Sequence, residues 1–429
     1  MPNPSLLIVP ARFKTGRLYS QIPSNTDNRG DFNVTRATTA TRVNASGYIE
    51  SVASGIPRLD YFASGGVVGC PALLVEPSGS NSVLRSQDFS ATWAATVSAT
   101  VTGVTSPDGT ANASIFIADS TSNRVRQSVS LVSGTTYTYS LFGKFDALSS
   151  GFTMNVFEEN TTAYGSGVCQ AFNLNEGTLG ASGSVGAGFT LQSAGMENYG
   201  NGWYRCRMTV LMGYTTPSGA TGGRVGFRIG TQIQSGRPLS VVSGSVSAWG
   251  AQLETGSVAT SYIPTTTGQV TRNADVVSVS GAVSGSIGQT EGTIYAEVDI
   301  RNLTNADSVR IVSLTTTTNS NNFIEITKRS STQLRCDARL NSGSTITFLT
   351  VSGFVLGVNK IAFAYQDGNY AMAINGAVTT SAQAGMTSSL NTIILGAAAS
   401  NIAQFNDRIR AVALYTTRLT NTELAALTT

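Results

Sequence analysis

The chain has 429 residues, of which 41% are hydrophobic and 12% charged, with 45 glycines and a formal charge of +3. That is enough apolar material for at least two cores, which excludes a chain disordered by composition, while Lys and Arg residues scattered along the sequence argue against a nucleic-acid partner. The lack of any histidine removes the imidazole base, the Ser/His and Cys/His pairs and histidine metal ligands.

Ser, Thr, Val, Gly and Ala dominate at the expense of Lys, Glu and Leu, so the expected fold class is all-β. No apolar run approaches the roughly 20 residues that span a bilayer, which argues against membrane insertion. The start, MPNPSLLIVPARFK, lacks the layout of a signal peptide and implies synthesis in a cytoplasm without export. Cys70, Cys169, Cys206 and Cys336 show no CxxC spacing and are expected as buried free thiols, with a Cys169–Cys206 bridge left open.

Residues 1–80 mix short polar strands with Pro and Gly punctuation and look unable to form a core alone, so they are expected to be an attachment or oligomerisation arm ordered by a partner. Residues 81–264 carry short apolar runs between turn signals, as in SVSLVSGTTYTYSLFGKF, and predict a β-sandwich. Ser106-Pro107-Asp108-Gly109 and Thr216-Pro217-Ser218-Gly219 supply turns. Residues 265–290, rich in Thr, Ser, Val and Gly, are expected as a linker.

Residues 291–429 predict a second antiparallel sandwich. Ile294, Ala296, Val298 and Ile300 alternate with Tyr295, Glu297 and Asp299, and Asp367-Gly368 and Asn375-Gly376 are hairpin turns. Near the end, Thr420 and Glu423 form a capping box and Leu419 can staple onto Leu424, which predicts a two-turn helix.

Three strings give the chain a specific likeness. They are DFNVTRATTATRVNASGYIE, continued by IPRLDY and PALLVEP; LRSQDFSATW, with SPDGTANA, GWYRCRMTV and WGAQLETGSVATSYIPTTTGQVTRNADVV; and YAMAINGAV, IILGAAA and DRIRAVALYTTRLTNTELAAL. These resemble head-spike and fibre-type virion proteins of tailed bacteriophages, the second string looking like a carbohydrate-binding-module jelly-roll and the third like a laminin-G or concanavalin-type lectin domain. Where related chains continue with Arg-Thr-Asn after the Glu-Pro step, this one has Ser78, Gly79, Ser80 and Asn81. The resemblance implies a non-enzymatic fibre or spike subunit on the virion surface, made in the host bacterium. It would attach to capsid or tail proteins through the arm and bind host surface glycans. Alternatives are a capsid-decorating protein without a ligand, and a tail-associated polysaccharide depolymerase. Unpaired backbone groups in the arm call for a homo-oligomer; the likeness makes it a trimer.

Without histidine, the surviving hydrolytic chemistry is a carboxylate pair. Glu158 and Glu159 are adjacent and would face opposite ways on a strand, and Glu297, Asp299 and Glu325 are expected as surface charges on outer strand faces, so no catalytic residue is nominated. Sugar sites need aromatic surfaces rimmed by polar groups. Trp203 and Trp249 are expected in the core, leaving Trp93 and the loop residues Tyr199, Asn198 and Asn201 as candidate carbohydrate-binding residues. Asn319, Asn321 and Asn322 form a polar loop without the carboxylates calcium prefers; no metal or cofactor is expected. GASGSVGAG, lacking a following Lys and helix, is a β-turn string rather than a phosphate loop.

Overall fold

The computed structural model describes the chain except for residues 24–29, 63–68, 98, 120–122, 147–149, 159–165, 214–221, 240–242, 282, 302, 304–307, 317–321, 340–344, 388 and 400–401. The regular structure of the described residues is antiparallel strand apart from a short 3-10 turn and a single α-helix at the C-terminal end. The all-β expectation therefore holds.

The first sandwich pairs two six-stranded sheets. One runs in the order Ala94–Val97, Asn123–Ser130, Gly222–Ile229, Gly151–Glu158, Gly167–Asn173 and Thr178–Val185. The other runs Ala99–Val104, Ala113–Ala118, Gly244–Thr255, Thr136–Phe145, Trp203–Met212 and Phe189–Gly200. Alternation decides which residues meet between them: Val125, Val129, Met154, Val156, Val225 and Phe227 join Phe116, Tyr139, Leu141 and Met208 in one buried cluster. Phe89, Phe116 and Phe227 meet edge to face with ring centres 5.3 to 6.1 Å apart. Burying each such ring contributes roughly 1.5–3 kcal/mol.

The second sandwich is assembled from both ends of the chain. Its eight-stranded sheet combines Ala377–Ser381, Tyr370–Ile374, Gly357–Gln366, Glu291–Ile300 and Asp407–Tyr415 with Ala72–Val75, Leu59–Asp60 and Leu6–Ile8. Its nine-stranded sheet carries Phe13–Lys14, Arg17–Leu18 and Phe32–Thr35 beside Val276–Ser280, and continues through Thr392–Leu395 to Thr345–Ser352. Leu6 stands opposite Leu414, Val34 opposite Val277 and Leu73 opposite Ile409.

Two expectations from the sequence are corrected here. Residues 1–80 are too punctuated to bury a core of their own, yet their strands supply Leu6, Ile8, Leu18, Phe32, Val34, Leu59, Leu73 and Val75 to the core of the second sandwich. They do not form a separate arm. Residues 265–290 are likewise not simply a linker: Val270–Arg272 pairs with Gly79–Asn81 where the Ser78–Asn81 departure falls, and Val276–Ser280 lies inside the nine-stranded sheet.

Local signals were faithful. Asn375 and Gly376 both take positive φ, 47° and 88°, as a tight hairpin turn requires. The helix Asn421–Thr428 is closed by the reciprocal Thr420–Glu423 capping box, with Leu419 and Leu424 buried in one cluster. Trp203 and Trp249 are core residues.

Candidate functional site

The outer face of the first sandwich carries an unusual concentration of charge. On Asn123–Ser130 the residues that alternate with core Val125 are Arg124 and Arg126; on Gly222–Ile229 those that alternate with core Val225 and Phe227 are Arg224, Gly226 and Arg228. Pairing brings them together. Arg124 stands opposite Arg228 and Arg126 opposite Gly226, while on the far side of the same strand Asn155 faces Gly226 and Phe157 faces Arg224.

These side chains line a cavity of about 180 Å³, completed by Glu158 and by Gln234, Arg237, Pro238 and Leu239 from the hairpin Ile233–Gln234/Arg237–Pro238. Among the described residues, five arginines and one carboxylate thus line the same space, in a chain whose Lys and Arg looked dispersed. Gly226 is the floor. A Cβ there would lie 2.3 Å from the Val125 carbonyl oxygen, so no larger residue fits and the middle of the cavity stays open.

The hairpin is fixed in place as a roof. Arg228 donates from Nη1 to Asn123 Oδ1 at 3.0 Å, and Asn123 Nδ2 donates onward to the carbonyls of Ile229 at 3.3 Å and Leu239 at 3.0 Å. At its tip Gly236 lies so close to the Thr178–Val185 strand that an added Cβ would come within 2.1 Å of the Ser184 carbonyl oxygen. Asn155 is 8% exposed, and its carboxamide makes no hydrogen bond with the described protein. The side chain lines the cavity, where it can meet water or a ligand.

The sequence candidates lie elsewhere. Trp93 is buried at 7% exposure, donates from Nε1 to the Leu84 carbonyl at 2.9 Å and packs on Phe89 with ring centres 4.8 Å apart, so it offers no open face to a sugar. Tyr199 is also buried, wedged between Phe62 and Phe142 at 4.7 and 4.9 Å, and burial pushes its phenol pKa up. Asn198 spends its Oδ1 on the Gly200 amide at 2.8 Å. Asn201, exposed at φ 52°, shares with Tyr199, Trp203, Tyr48 and Lys144 a separate cleft of about 80 Å³. The four candidates therefore do not converge on one site.

Among the acids, Glu158 lines the arginine cavity, and Glu159 lies outside the described residues. Glu297 accepts from Arg410 at 2.8 Å and Asp299 from Arg408 at 2.8 Å. Glu325 is buried rather than on the surface, accepting from Arg310 at 2.9 Å and from the Ser313 hydroxyl at 2.9 Å. Asn322 accepts from the Thr387 hydroxyl; Asn319, Asn321 and the turn at Thr216–Gly219 lie outside the described residues. No cluster of three or more metal-ligating His, Cys, Asp or Glu side chains occurs among the described residues.

A second polar assembly is wholly interior. Arg58 donates to Glu76 Oε2 at 2.7 Å, Arg36 to Asp275 Oδ1 at 3.0 Å, and Arg272 lies 3.4 Å from Glu76 Oε2. Glu76 also accepts from the Ser261 amide and hydroxyl, each at 2.7 Å. Glu254 nearby accepts from the Thr260 hydroxyl at 2.6 Å, and burial raises its pKa.

The fold thus defines an all-β protein of two antiparallel sandwiches with a basic concavity on the first. No family model and no curated protein matches the chain. Solved structures similar to part of it include the CBM40 of the Ruminococcus gnavus IT-sialidase bound to α2,3-sialyllactose, at 17% identity over 34% of this chain and 88% of that one with TM-score 0.30. The Streptococcus pneumoniae NanB sialidase is similar at 14% identity over 35% of this chain and 26% of that one, TM-score 0.30. The leech intramolecular trans-sialidase matches at 16% identity over 35% and 26%, TM-score 0.30. The chain therefore spans about a quarter of each of the last two proteins.

Proposed function

We propose that the chain is a surface-displayed subunit of a tailed-bacteriophage virion, a fibre or spike that holds host-surface saccharides on the outer face of its first sandwich. The single observation that carries the binding half is the roofed cavity lined by Arg126, Arg224, Arg228 and Asn155, which is open to a ligand. The virion half rests on the three sequence strings. A homotrimer would multiply weak single sites, each of roughly millimolar affinity, by avidity of a hundredfold or more.

Glycan-array screening of the full-length protein tests the binding half: the expected result is capture of a subset of saccharides. Blank arrays would favour the ligand-free capsid-decoration alternative. Immunogold labelling of particles and light scattering of the purified chain test display and trimerisation in turn, and a monomer at micromolar concentration would overturn the oligomer. The depolymerase alternative finds little support in the cavity, where Glu158 is the one carboxylate among the lining residues. A two-carboxylate mechanism needs a partner for it.

A further inference from the structure

We infer that the saccharide taken by this face is acidic, with a sugar carboxylate seated among the guanidinium groups around Gly226 and a hydroxyl or acylamino group of the same sugar on Asn155. This rests on the proposed saccharide-binding function and narrows it to one chemical class.

Charge carries the first step. Among the described residues the lining brings five guanidinium groups, each with protein interactions of its own, to the carboxylate of Glu158, in a recess walled by protein where charges are screened less than in open water. Each guanidinium has five N–H donors in a planar fork, so one that already holds a protein partner keeps others for a ligand. That fork matches a carboxylate, two N–H groups to two oxygens.

Position carries the second. Arg224, Gly226 and Arg228 alternate along one strand, and Gly226 has Arg126 on one side and Asn155 on the other. A group resting on the Gly226 floor is therefore ringed by three arginines and an amide. Arg228 is anchored through Asn123 to the roof, so part of the ring is set before any ligand arrives.

The remaining lining distinguishes an acidic sugar from a bare anion. Asn155 can both donate and accept, and Glu158 can accept from hydroxyls, which a bare inorganic anion such as sulfate does not present. Phe157, Pro238 and Leu239 add apolar surface suited to the C–H face of a pyranose ring.

The test uses full-length protein and three probes: polygalacturonate, the same polymer with its carboxyls reduced to neutral alcohols, and dextran sulfate. Calorimetry should show binding to polygalacturonate, at least about tenfold weaker binding to the reduced polymer, and weakening of about tenfold on Arg126→Gln or Arg224→Gln. Both arginines are partly exposed, and unchanged melting temperatures would show that the variants fold. Asn155→Ala should weaken polygalacturonate binding while leaving any residual attraction to dextran sulfate unchanged. Equal affinity for the charged and reduced polymers overturns the acidic assignment but leaves saccharide binding standing. Tighter binding of dextran sulfate than of polygalacturonate overturns the carboxylate. Failure of every saccharide on the array together with all three polymers overturns the saccharide function itself.

Discussion

Arg58 and Asp275, 217 residues apart in sequence, face each other in the interior, with Arg58 Nε 3.3 Å from Asp275 Oδ1 and neither side chain more than 3% exposed. Around them gather Arg36, Glu76, Ser261 and Arg272, so the network ties the N-terminal strands to the end of the first sandwich and the start of the second. Each residue falls in a string that carries the likeness to virion proteins: Arg36 in DFNVTRATT, Arg58 in IPRLDY, Glu76 in PALLVEP, Ser261 in SYIPT, and Arg272 and Asp275 in TRNADVV. Those strings build the junction of the scaffold rather than the arginine cavity. The likeness therefore concerns how the modules are joined and does not by itself specify a ligand.

Removing one partner from this network should be far more damaging than its hydrogen-bond count suggests, because the charge left behind stays buried. Glu76→Gln or Arg58→Met is expected to cost about 3–5 kcal/mol, read as a lower urea midpoint with unchanged slope. A loss under about 1 kcal/mol would mean that water enters the junction and solvates the orphaned charge.

What could be seen in the sequence was the near-neighbour physics. Alternation in Glu291–Ile300, the positive φ tolerated at Asn375-Gly376 and the Thr420–Glu423 cap all act within a few residues, and all three appear in the structure. Periodicity says which side of a strand is apolar and is silent about the distant strand it meets. That is why Leu6 against Leu414 was not legible and residues 1–80 looked coreless. The arginine cavity had a signal, the alternation in NRVRQ and GRVGFRI, but only the pairing of the two strands turns scattered charge into a cluster. Trp93 failed as a candidate for a related reason: its position near a turn suggested exposure, while the turn folds it back onto Phe89 and the Leu84 carbonyl.

The four cysteines should react unequally. Cys169 lies on the outer face of its sheet, donating to the Gly236 carbonyl at 3.5 Å, while Cys206 points into the core between the sheets, so the bridge left open by the sequence does not form and all four thiols are free. Burial pushes the Cys169 thiol up to about 12 and those of Cys206 and Cys336 well above the usual range. Cys70 is exposed, against the burial expected of it, so native alkylation is expected to label Cys70 alone, and denatured protein to take up four labels without reductant. Two labels missing from the denatured, unreduced protein would reveal a disulfide.

The fragment 291–429 should not fold by itself. It lacks the inner strand Val276–Ser280, the flanking strand Phe32–Thr35 and the Leu6–Ile8 and Ala72–Val75 strands against Asp407–Tyr415, which exposes sheet edges and opens the core. Eight core side chains from before residue 80 would be missing. At roughly 1.5–3 kcal/mol each, their loss is as large as or larger than the 5–15 kcal/mol that a whole domain typically holds in reserve. Circular dichroism should show no cooperative melt for the fragment, nor for the second sandwich in a chain truncated before residue 76. A cooperative transition in 291–429 would show that the N-terminal strands decorate a core that is already sufficient.

Two buried carboxylates should give the protein opposite responses to pH from a single guanidinium neighbourhood. Arg301 Nη2 lies 3.8 Å from Glu76 Oε1, and its Nε lies 3.5 Å from Asp407 Oδ1. Burial alone would raise the Glu76 pKa, but Arg58, Arg272 and Arg301 together pull it well below the ordinary 4.5. At Asp407 burial prevails over Arg301 and Arg408, and its pKa is pushed up to about 7 from an ordinary 3.8. The signs follow from where the protons sit. Below about pH 4.5 the unfolded chain protonates Glu76 while the folded chain does not, so the stability this group supplies is present above that pH and is lost as the pH falls. Between pH 3.8 and about 7 the folded chain keeps a proton on Asp407 that the unfolded chain has released, so this group's contribution declines as the pH rises through that window. From these two groups, stability is greatest near pH 4, between the ordinary values of 3.8 and 4.5, and urea titrations from pH 2 to 8 should show it. Asp407→Asn should flatten the decline between pH 5 and 7 and leave the acid limb in place. Glu76→Gln, in the pH range where it still folds, should remove the acid limb and keep the decline. An Asp407→Asn variant that loses stability from pH 5 to 7 as steeply as the parent would place the titrating proton on another group.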